Sequence, residues 1–187
     1  RGLVNYLDWA RKAYAPGSSS VVFSSLAFDA IITSLFAPLL SGGHAQLVNE
    51  KDKVGGVKAK IISGCGLIEI TPSHLDTLGQ QMLAERVTSQ VGLFIIGGEA
   101  LSRSTVELWR AIQPTAMMVN EYGPTETVVG SLHYEVPAEL DGSASIPIGR
   151  PIANTRLYLL DAHGAPVPFG AVGELYIGGA GVARGYL

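Results

Sequence analysis

The segment NEYGPTETVVG, residues 120–130, places polar side chains directly behind an apolar run, AMMV. Gly-Pro after such a run signals a turn, but a plain turn needs neither an aromatic ring before it nor hydroxyl and carboxyl groups after it. Thr125 and Glu126 offer oxygen ligands suited to a phosphate-bound Mg²⁺, which usually takes only one or two carboxylates from a protein. Considered alone, the segment fits a plain polar turn about equally well.

Glycines and polar residues also follow other apolar, strand-like segments. These strand ends are Ser24-Ser25, Ile70-Thr71-Pro72, Ile96-Gly97-Gly98-Glu99 and Asn120-Glu121-Tyr122-Gly123. In parallel α/β sheets, ligands bind beyond the carboxyl ends of the strands. Glycine lets a flat ligand approach the backbone closely, and Tyr122 offers a ring for stacking. A nucleotide with its metal ion is therefore a coherent hypothesis, although the chain contains no glycine-rich loop with a Lys.

The periodicity of apolar residues predicts helices and strands in alternation. Helices are predicted at 2–14, 28–43, 74–83 (with Ser73 as N-cap) and 102–113, strands at 21–25, 45–48, 66–73, 92–98 and 116–123, and a loop at 15–20. Short apolar strands that alternate with helices favour an α/β fold with a doubly wound, mainly parallel sheet.

The pattern changes after about residue 131. Segments 132–136, 156–161 and 173–179 read as strands separated by turns, with no helix between them. Such a run indicates a small antiparallel or barrel-like unit. We therefore divide the chain into an α/β subdomain, residues 1–135, and the beginning of a β-barrel subdomain, residues 136–187, with a connecting loop near 137–147.

Composition limits the possible partners. The 187-residue chain is 47% hydrophobic and only 16% charged, against about 25% charged in an average soluble domain. Part of its surface is therefore expected to be buried against another segment. A net charge of −3 gives no electrostatic basis for binding nucleic acid or an anionic membrane. The most apolar run, AIITSLFAPLL, is too short to span a bilayer and contains Pro38, and the first residues lack a signal-peptide pattern.

Cysteine and histidine usage does not point to a redox or metal centre. The single cysteine, Cys65, cannot form an internal disulfide, which fits a reducing, cytoplasmic compartment. No basic cluster surrounds it in sequence, so we expect a buried small hydrophobe rather than a reactive thiol. The four histidines, at 44, 74, 133 and 163, lack metal-ligand spacing and are expected to be structural or exposed.

Four motifs carry a resemblance to a known family: LAFDAIITSLFAPLLSGG, LFIIGGEAL, NEYGPTET and GELYIGGAGVARGYL. In this order they resemble the adenylate-forming superfamily, and most of all the adenylation domains of nonribosomal peptide synthetases. The resemblance implies the second α/β subdomain of the N-terminal core and the start of its barrel. It also implies a phosphate loop before Arg1, and a ribose-binding Asp, a hinge and a catalytic Lys beyond Leu187. The isolated chain is therefore expected not to form an adenylate.

The resemblance implies a role for each residue around the predicted nucleotide. Tyr122 resembles the residue that stacks on adenine, and Asn120 resembles the one that hydrogen-bonds the adenine amino group. Thr125 resembles the ligand of the ATP phosphates, and Glu126 resembles the Mg²⁺ ligand, so these two are the candidate catalytic residues. The remaining residues expected around the nucleotide are Gly97, Gly98, Glu99, Glu121 and Gly123.

For the amino-acid substrate, the resemblance makes Asp29 the partner of the α-ammonium group. A buried ammonium needs a counter-charge, and a carboxylate only accepts hydrogen bonds. The alternative is an exposed Asp favoured by a helix N-terminus. The side-chain pocket is expected to be lined by Ala30, Thr33, Ile70, Ile95, Gly97, Glu121, Val129 and Gly130.

These wall residues predict a roomy pocket, so glycine and alanine are not expected as substrates. A carboxylate in the wall is costly unless it meets a donor, so Glu121 predicts a substrate side chain such as an amide, a phenol or a cationic group. Acidic side chains should be repelled. The alternative is that Glu121 turns to a neighbouring backbone group or water, which would leave an aliphatic or aromatic preference.

The resemblance implies that the whole domain converts an amino acid and Mg·ATP into aminoacyl-AMP and pyrophosphate. The acyl group then passes to the phosphopantetheine thiol of a carrier protein, with condensation and carrier domains as neighbours. One alternative is an acyl- or aryl-CoA ligase of the same superfamily, against which Asp29 argues, because such acids carry no ammonium. The other is a non-catalytic, excised or swapped subdomain.

Overall fold

The structure is a computed structural model that describes residues 1–15, 19–49 and 53–186. The predicted loop at 15–20 lies partly outside the described residues. Leu187, the last residue of the predicted barrel region, lies outside them. The helices are α1 (Gly2–Ala13), α2 (Ile31–Leu40), α3 (Lys53–Ser63), α4 (Pro72–Glu85) and α5 (Arg103–Ile112). The strands are β1 (Ser19–Val22), β2 (His44–Leu47), β3 (Cys65–Ile70), β4 (Val91–Gly97), β5 (Met117–Tyr122), β6 (Leu132–Glu135), β7 (Arg150–Pro151), β8 (Thr155–Leu160) and β9 (Glu174–Gly179).

The large sheet has the strand order β2-β1-β3-β4-β5-β6-β7. Its first five strands run parallel, and β6 and β7 are antiparallel to their neighbours. The predicted α/β class with a mainly parallel sheet is therefore confirmed. In register, Ile70 pairs with Ile96 and Ile96 pairs with Asn120. Since these strands are parallel, the residues that follow them meet at one edge of the sheet.

A separate antiparallel pair, β8 and β9, follows the large sheet. The predicted division at residue 135 stays a prediction, but one feature crosses it. Strand β7, at Arg150–Pro151, pairs with β6 and so belongs to the large sheet. A short strand of two residues carries almost no periodicity, so the sequence pattern did not reveal it.

Each face of the sheet is covered by a different set of helices. Helices α3, α4 and α5 pack on one face, around Ile68, Phe94 and Trp109. On the other face, α1 packs against Leu67 and Ile95. Because side chains alternate along a strand, residues 69 and 121 lie on the α1 face, whereas residues 70 and 120 lie on the α4 face.

The structure differs locally from the sequence prediction in two places. The N-cap of α4 is Thr71, whose hydroxyl accepts a hydrogen bond from the His74 backbone N–H, and not Ser73. Pro72 therefore takes the first helical position, where its missing N–H costs nothing. Helix α3 was not predicted, because Gly55 and Gly56 lower its helical propensity. Packing overrides this cost, since α3 buries Val57 and Ile61 in the apolar core on the α4 face.

Candidate nucleotide and amino-acid site

A cavity of about 560 Å³ lies at the carboxyl edge of the parallel strands. That volume lies within the usual range for a small-molecule site. The predicted site residues that border it are Asp29, Ala30, Ile70, Gly97, Gly98, Glu121, Gly123 and Val129. The residues at the strand ends, which the local sequence identifies, therefore lie together around one cavity, as expected.

A second, larger depression of about 1430 Å³ lies between the start of α1 and the end of β9. None of the predicted site residues borders it. Size alone therefore does not identify the site, and the smaller cavity is the one that the predicted residues border.

The other predicted residues lie outside the cavity lining: Thr33, Ile95, Glu99, Asn120, Tyr122, Thr125, Glu126 and Gly130. Thr33 and Ile95 are fully buried. Gly130 lies against the Glu121 side chain, because a Cβ there would lie 2.3 Å from Cδ of Glu121. The roles predicted for these residues stay predictions.

Glu121 is held by two tyrosines and does not point freely into the cavity. The Tyr6 hydroxyl donates to its Oε1 at 3.0 Å and to its Oε2 at 3.3 Å, and the Tyr14 hydroxyl also donates to Oε2. Burial raises the pKa of Glu121 to about 7, while the hydrogen bonds from Tyr14 and Tyr6 lower it. The donors that this carboxyl needs thus come from the chain itself. We call Tyr6, Tyr14 and Glu121 the tyrosine clamp.

The turn after β5 shapes the wall beside the clamp. Val128 and Val129 have φ angles of 65° and 57°. This left-handed conformation is rare for β-branched residues and stores backbone strain. Val129 borders the cavity, and Gly130 follows where only a hydrogen atom fits against Glu121. The strained turn therefore brings the backbone up against the carboxyl group.

Glu69, on β3, was missed by sequence reasoning. It lies on the same face as Glu121 and borders the cavity, and its buried Oε2 accepts no hydrogen bond from any residue that the structure describes. Burial raises its pKa well above the usual value, and the charges of Glu121 and Asp29 add to this. Hydrogen bonds from the Thr33 hydroxyl and the Ser34 backbone act in the opposite direction.

A lone glutamate inside an apolar strand, GLIEI, was the signal that could have revealed it. Burying a carboxyl group is costly, so such a residue marks a possible site. We expected Ile70 to form this wall. Ile70 does border the cavity, but its side chain packs in the apolar core on the α4 face. The polar wall on β3 is therefore formed by Glu69.

Asp29 lies in the turn before α2 and is only partly exposed. Its Oδ2 is buried and has no hydrogen-bond partner within the described parts of the chain. The buried Oδ2 differs from the fully exposed carboxylate of the alternative, and the role of Asp29 stays a prediction. An unpaired carboxylate oxygen beside a cavity is suited to receive a cation from a ligand.

Glycines bring the backbone close together where the nucleotide is predicted. A Cβ on Gly97 would lie 2.8 Å from the Glu121 carbonyl oxygen, and one on Gly123 would lie 2.1 Å from the Val129 carbonyl oxygen. Gly98 has a φ angle of +84°, which favours glycine. Tyr122, at the end of β5, keeps 39% of its surface exposed. Its ring is therefore available for stacking.

Two residues expected near the nucleotide already have partners in the chain. Asn120 is buried on the α4 face, and its Nδ2 donates to the carbonyl oxygens of Ile146 and Pro147 at 3.3 and 2.9 Å. Glu99 accepts hydrogen bonds from the backbone N–H and the hydroxyl of Ser73 at the start of α4. Their side chains thus hold neighbouring segments in place.

The predicted phosphate ligand Thr125 and the predicted metal ligand Glu126 lie in the short 3-10 turn Thr125–Thr127. Glu126 is exposed and its Oε1 accepts a hydrogen bond from the Tyr186 hydroxyl at 2.9 Å. Its own backbone N–H, and then Tyr186, lower the pKa of its carboxyl group. An ionised carboxylate beside a hydroxyl suits Mg²⁺. The described residues contain no group of three or more His, Cys, Asp or Glu that could hold a metal.

Two further expectations can be compared with the structure. Cys65 is buried, as predicted, and burial raises the pKa of its thiol to about 11. It therefore lacks the thiolate character of a reactive cysteine. In the described part of the chain, no helix is long and apolar enough to cross a membrane.

Comparison with known proteins identifies the family. The AMP-binding enzyme family matches residues 1–187. The chain is 40% identical over 190 residues to tyrocidine synthase 3 of Brevibacillus parabrevis, covering 100% of this chain and 3% of that protein. It is 40% identical over 192 residues to bacitracin synthase 3 of Bacillus licheniformis, covering 100% of this chain and 3% of that protein. The chain therefore belongs to the AMP-binding enzyme family.

A solved structure supports the same assignment. Holo-PA1221 is described as a nonribosomal peptide synthetase protein with adenylation and PCP domains, bound to a vinylsulfonamide inhibitor. Its TM-score against this chain is 0.84 at 31% identity, covering 99% of this chain and 32% of that one. The chain thus spans a minor part of each of these relatives. Large exposed apolar side chains, among them Leu26, Phe28 and Phe169, fit a surface that packs against neighbouring segments.

Proposed function

We propose that this chain forms part of an adenylation domain of a nonribosomal peptide synthetase. The domain converts an amino acid and ATP into aminoacyl-AMP and pyrophosphate, and then transfers the acyl group to the phosphopantetheine thiol of a carrier protein. The observation that carries the proposal is the buried, unpaired Oδ2 of Asp29 beside the cavity at the carboxyl edge of the sheet. The family match and the synthetase relatives support it.

In this proposal, Asp29 binds the α-ammonium of the amino acid. A buried carboxylate without a partner is costly, and the ammonium supplies both the counter-charge and the donors. The substrate carboxylate is thereby oriented towards the nucleotide, where it attacks the α-phosphorus of ATP and pyrophosphate leaves. Holding the two reactants in one geometry supplies much of the rate.

On the nucleotide side, Tyr122 stacks on adenine, and the backbone at Gly97 and Gly98 approaches it closely. Thr125 contacts the phosphates, and Glu126 is the residue that would hold Mg²⁺. The ion, when bound, neutralises charge that develops on the phosphates. The role predicted for Asn120 is confined to its Oδ1, because its amide N–H groups already serve Ile146 and Pro147.

We place the reaction in the cytoplasm, where ATP and reduced thiols are available, next to condensation and carrier domains. An acyl- or aryl-CoA ligase is disfavoured, since its acid substrate would leave the Asp29 oxygen without a partner. A purely structural subdomain is disfavoured for the same reason.

The test is amino-acid-dependent pyrophosphate exchange by the natural protein that contains this chain. Asp29→Asn should lower kcat/KM at least about 100-fold, because the α-ammonium loses its counter-charge. The matched control is Asp8→Asn, on the exposed side of α1, where Asp8 pairs with Arg11 and Lys12. It should change the rate less than about twofold. Absence of exchange with every amino acid would refute the proposed function.

A further inference from the structure

Three carboxyl groups cluster at the amino-acid end of the cavity: Asp29, Glu69 and Glu121. The charges of Asp29 and Glu121 each raise the pKa of Glu69, so the groups interact. Among the described residues that border the cavity there is no Lys or Arg to balance them. Any negative charge on this wall therefore has no Lys or Arg beside it in the part of the chain that the structure shows.

The two glutamates differ in what they contact. Glu121 accepts hydrogen bonds from both tyrosines of the clamp, so its oxygens are already satisfied. Glu69 has the buried Oε2 without a partner. The buried Thr33 hydroxyl shares a 2.7 Å hydrogen bond with the Tyr6 hydroxyl. The clamp thus fixes Glu121 against α1 and leaves Glu69 as the glutamate with unused acceptor capacity.

We propose that the pocket selects an amino acid with a positively charged side chain, and that Glu69 rather than Glu121 receives that charge. The inference rests on the proposed function, in which Asp29 holds the α-ammonium. A side-chain ammonium or guanidinium offers several donors, which fit a carboxyl oxygen that lacks one. An aliphatic side chain would leave that oxygen buried and unpaired, and an amide or a phenol would donate to it without balancing its charge.

The groups that surround Glu69 determine whether its carboxyl group holds a proton or pairs with a bound cation. It faces Tyr6 and Tyr14 from the α1 segment, Asp29 from the turn before α2, Glu121 from β5 and, across the cavity, His74 from α4. His74 is engaged with the Thr71 hydroxyl at 2.9 Å. Burial and the charges of Glu121 and Asp29 raise the pKa of Glu69, so the empty pocket favours its protonated form and a bound cation favours its ionised form.

The direction of the pH effect follows from this exchange. At low pH the proton on Glu69 competes with the cation, whereas at high pH the ionised carboxylate attracts it. The KM for a basic amino acid should therefore fall as the pH rises, while the lysine ammonium stays charged because its ordinary pKa is about 10.4. Norleucine, which has the lysine chain without the ammonium, should not show this additional dependence.

The experiment compares lysine with norleucine, and ornithine with norvaline, in pyrophosphate exchange by the natural protein. The wild type should favour one of the basic amino acids over its neutral counterpart by at least about 100-fold in kcat/KM. Glu69→Gln keeps the shape and should lower kcat/KM for that basic amino acid at least about 30-fold, with less than about threefold change for the neutral one. Glu121→Gln should affect both substrates alike and leave their ratio unchanged.

The outcomes separate this inference from the proposed function. Exchange that favours norleucine and norvaline would overturn the inference and leave amino-acid activation intact. Retained discrimination in Glu69→Gln, or a shift of the ratio by Glu121→Gln, would also overturn it. Should Glu69→Gln not fold, the wild-type ratio and its pH profile still decide, because a pH-independent ratio contradicts the proton exchange. Exchange with no amino acid at all would instead refute the proposed function.

Discussion

Replacing Tyr14 by Phe should destabilise the protein, and the cost should depend on pH. The hydroxyl of Tyr14 donates to the buried Oε2 of Glu121, which is 6% exposed. A hydrogen bond to a charged group contributes about 1.5–3 kcal/mol, and one between neutral groups about 0.5–1.5 kcal/mol. We therefore expect a loss of about 2 kcal/mol near pH 8.5, where Glu121 is ionised, and about 1 kcal/mol near pH 5.5, where it is largely protonated.

The sign follows from linkage. The folded-state pKa of Glu121 is about 7, above its ordinary value of 4.5, because the carboxyl group is buried. The native state thus binds this proton more tightly than the unfolded state, and the associated stability is lost as the pH rises through about 7. The hydrogen bond from the Tyr14 hydroxyl lowers this pKa. Replacing Tyr14 by Phe therefore raises the pKa of Glu121 further, and stability continues to fall up to a higher pH.

The assay is urea unfolding of the natural protein at both pH values. Fluorescence monitors the transition in which this domain unfolds. Infrared titration of the carboxylic C=O band would report the pKa change directly. Tyr186→Phe is the matched control, because it removes a phenol hydroxyl that donates to the exposed Glu126 and should leave unfolding unchanged at both pH values. An equal cost of Tyr14→Phe at both pH values would show that its hydroxyl does not act on a titrating carboxylate.

Three other substitutions test separate parts of the structure. Glu126→Gln should lower turnover at least about tenfold, most strongly at limiting Mg²⁺; an unchanged rate there would remove Glu126 from the metal site. Gly130→Ala should destabilise by about 1–3 kcal/mol in urea unfolding, because the new Cβ would lie 2.3 Å from Cδ of Glu121. Gly142→Ala, in open space, is its control and should be neutral. Ser102→Ala should cost about 1 kcal/mol by removing the N-cap of α5, and a thermal midpoint equal to the wild type would contradict this.

Local chemistry was enough to predict much of the fold and part of the site. Apolar strands with intervening helices predicted the parallel sheet, since side-chain periodicity depends on neighbours along the chain. Because parallel strands end at one edge, Gly97, Gly98 and Gly123 could be placed together before any contact was known. The family motifs added Asp29, whose buried, unpaired oxygen is compatible with its predicted role.

The tertiary structure decided which carboxyl group is free. Tyr6 and Tyr14 lie 115 and 107 residues from Glu121, so no local pattern links them to it. Their hydroxyl groups donate to the carboxyl group of Glu121, which was predicted to contact the substrate. Glu69 keeps an unpaired oxygen. Sequence alone determines residue type and the alternation of faces along a strand. Which donor reaches which acceptor depends on how α1 packs across the sheet, and that is a property of the folded chain.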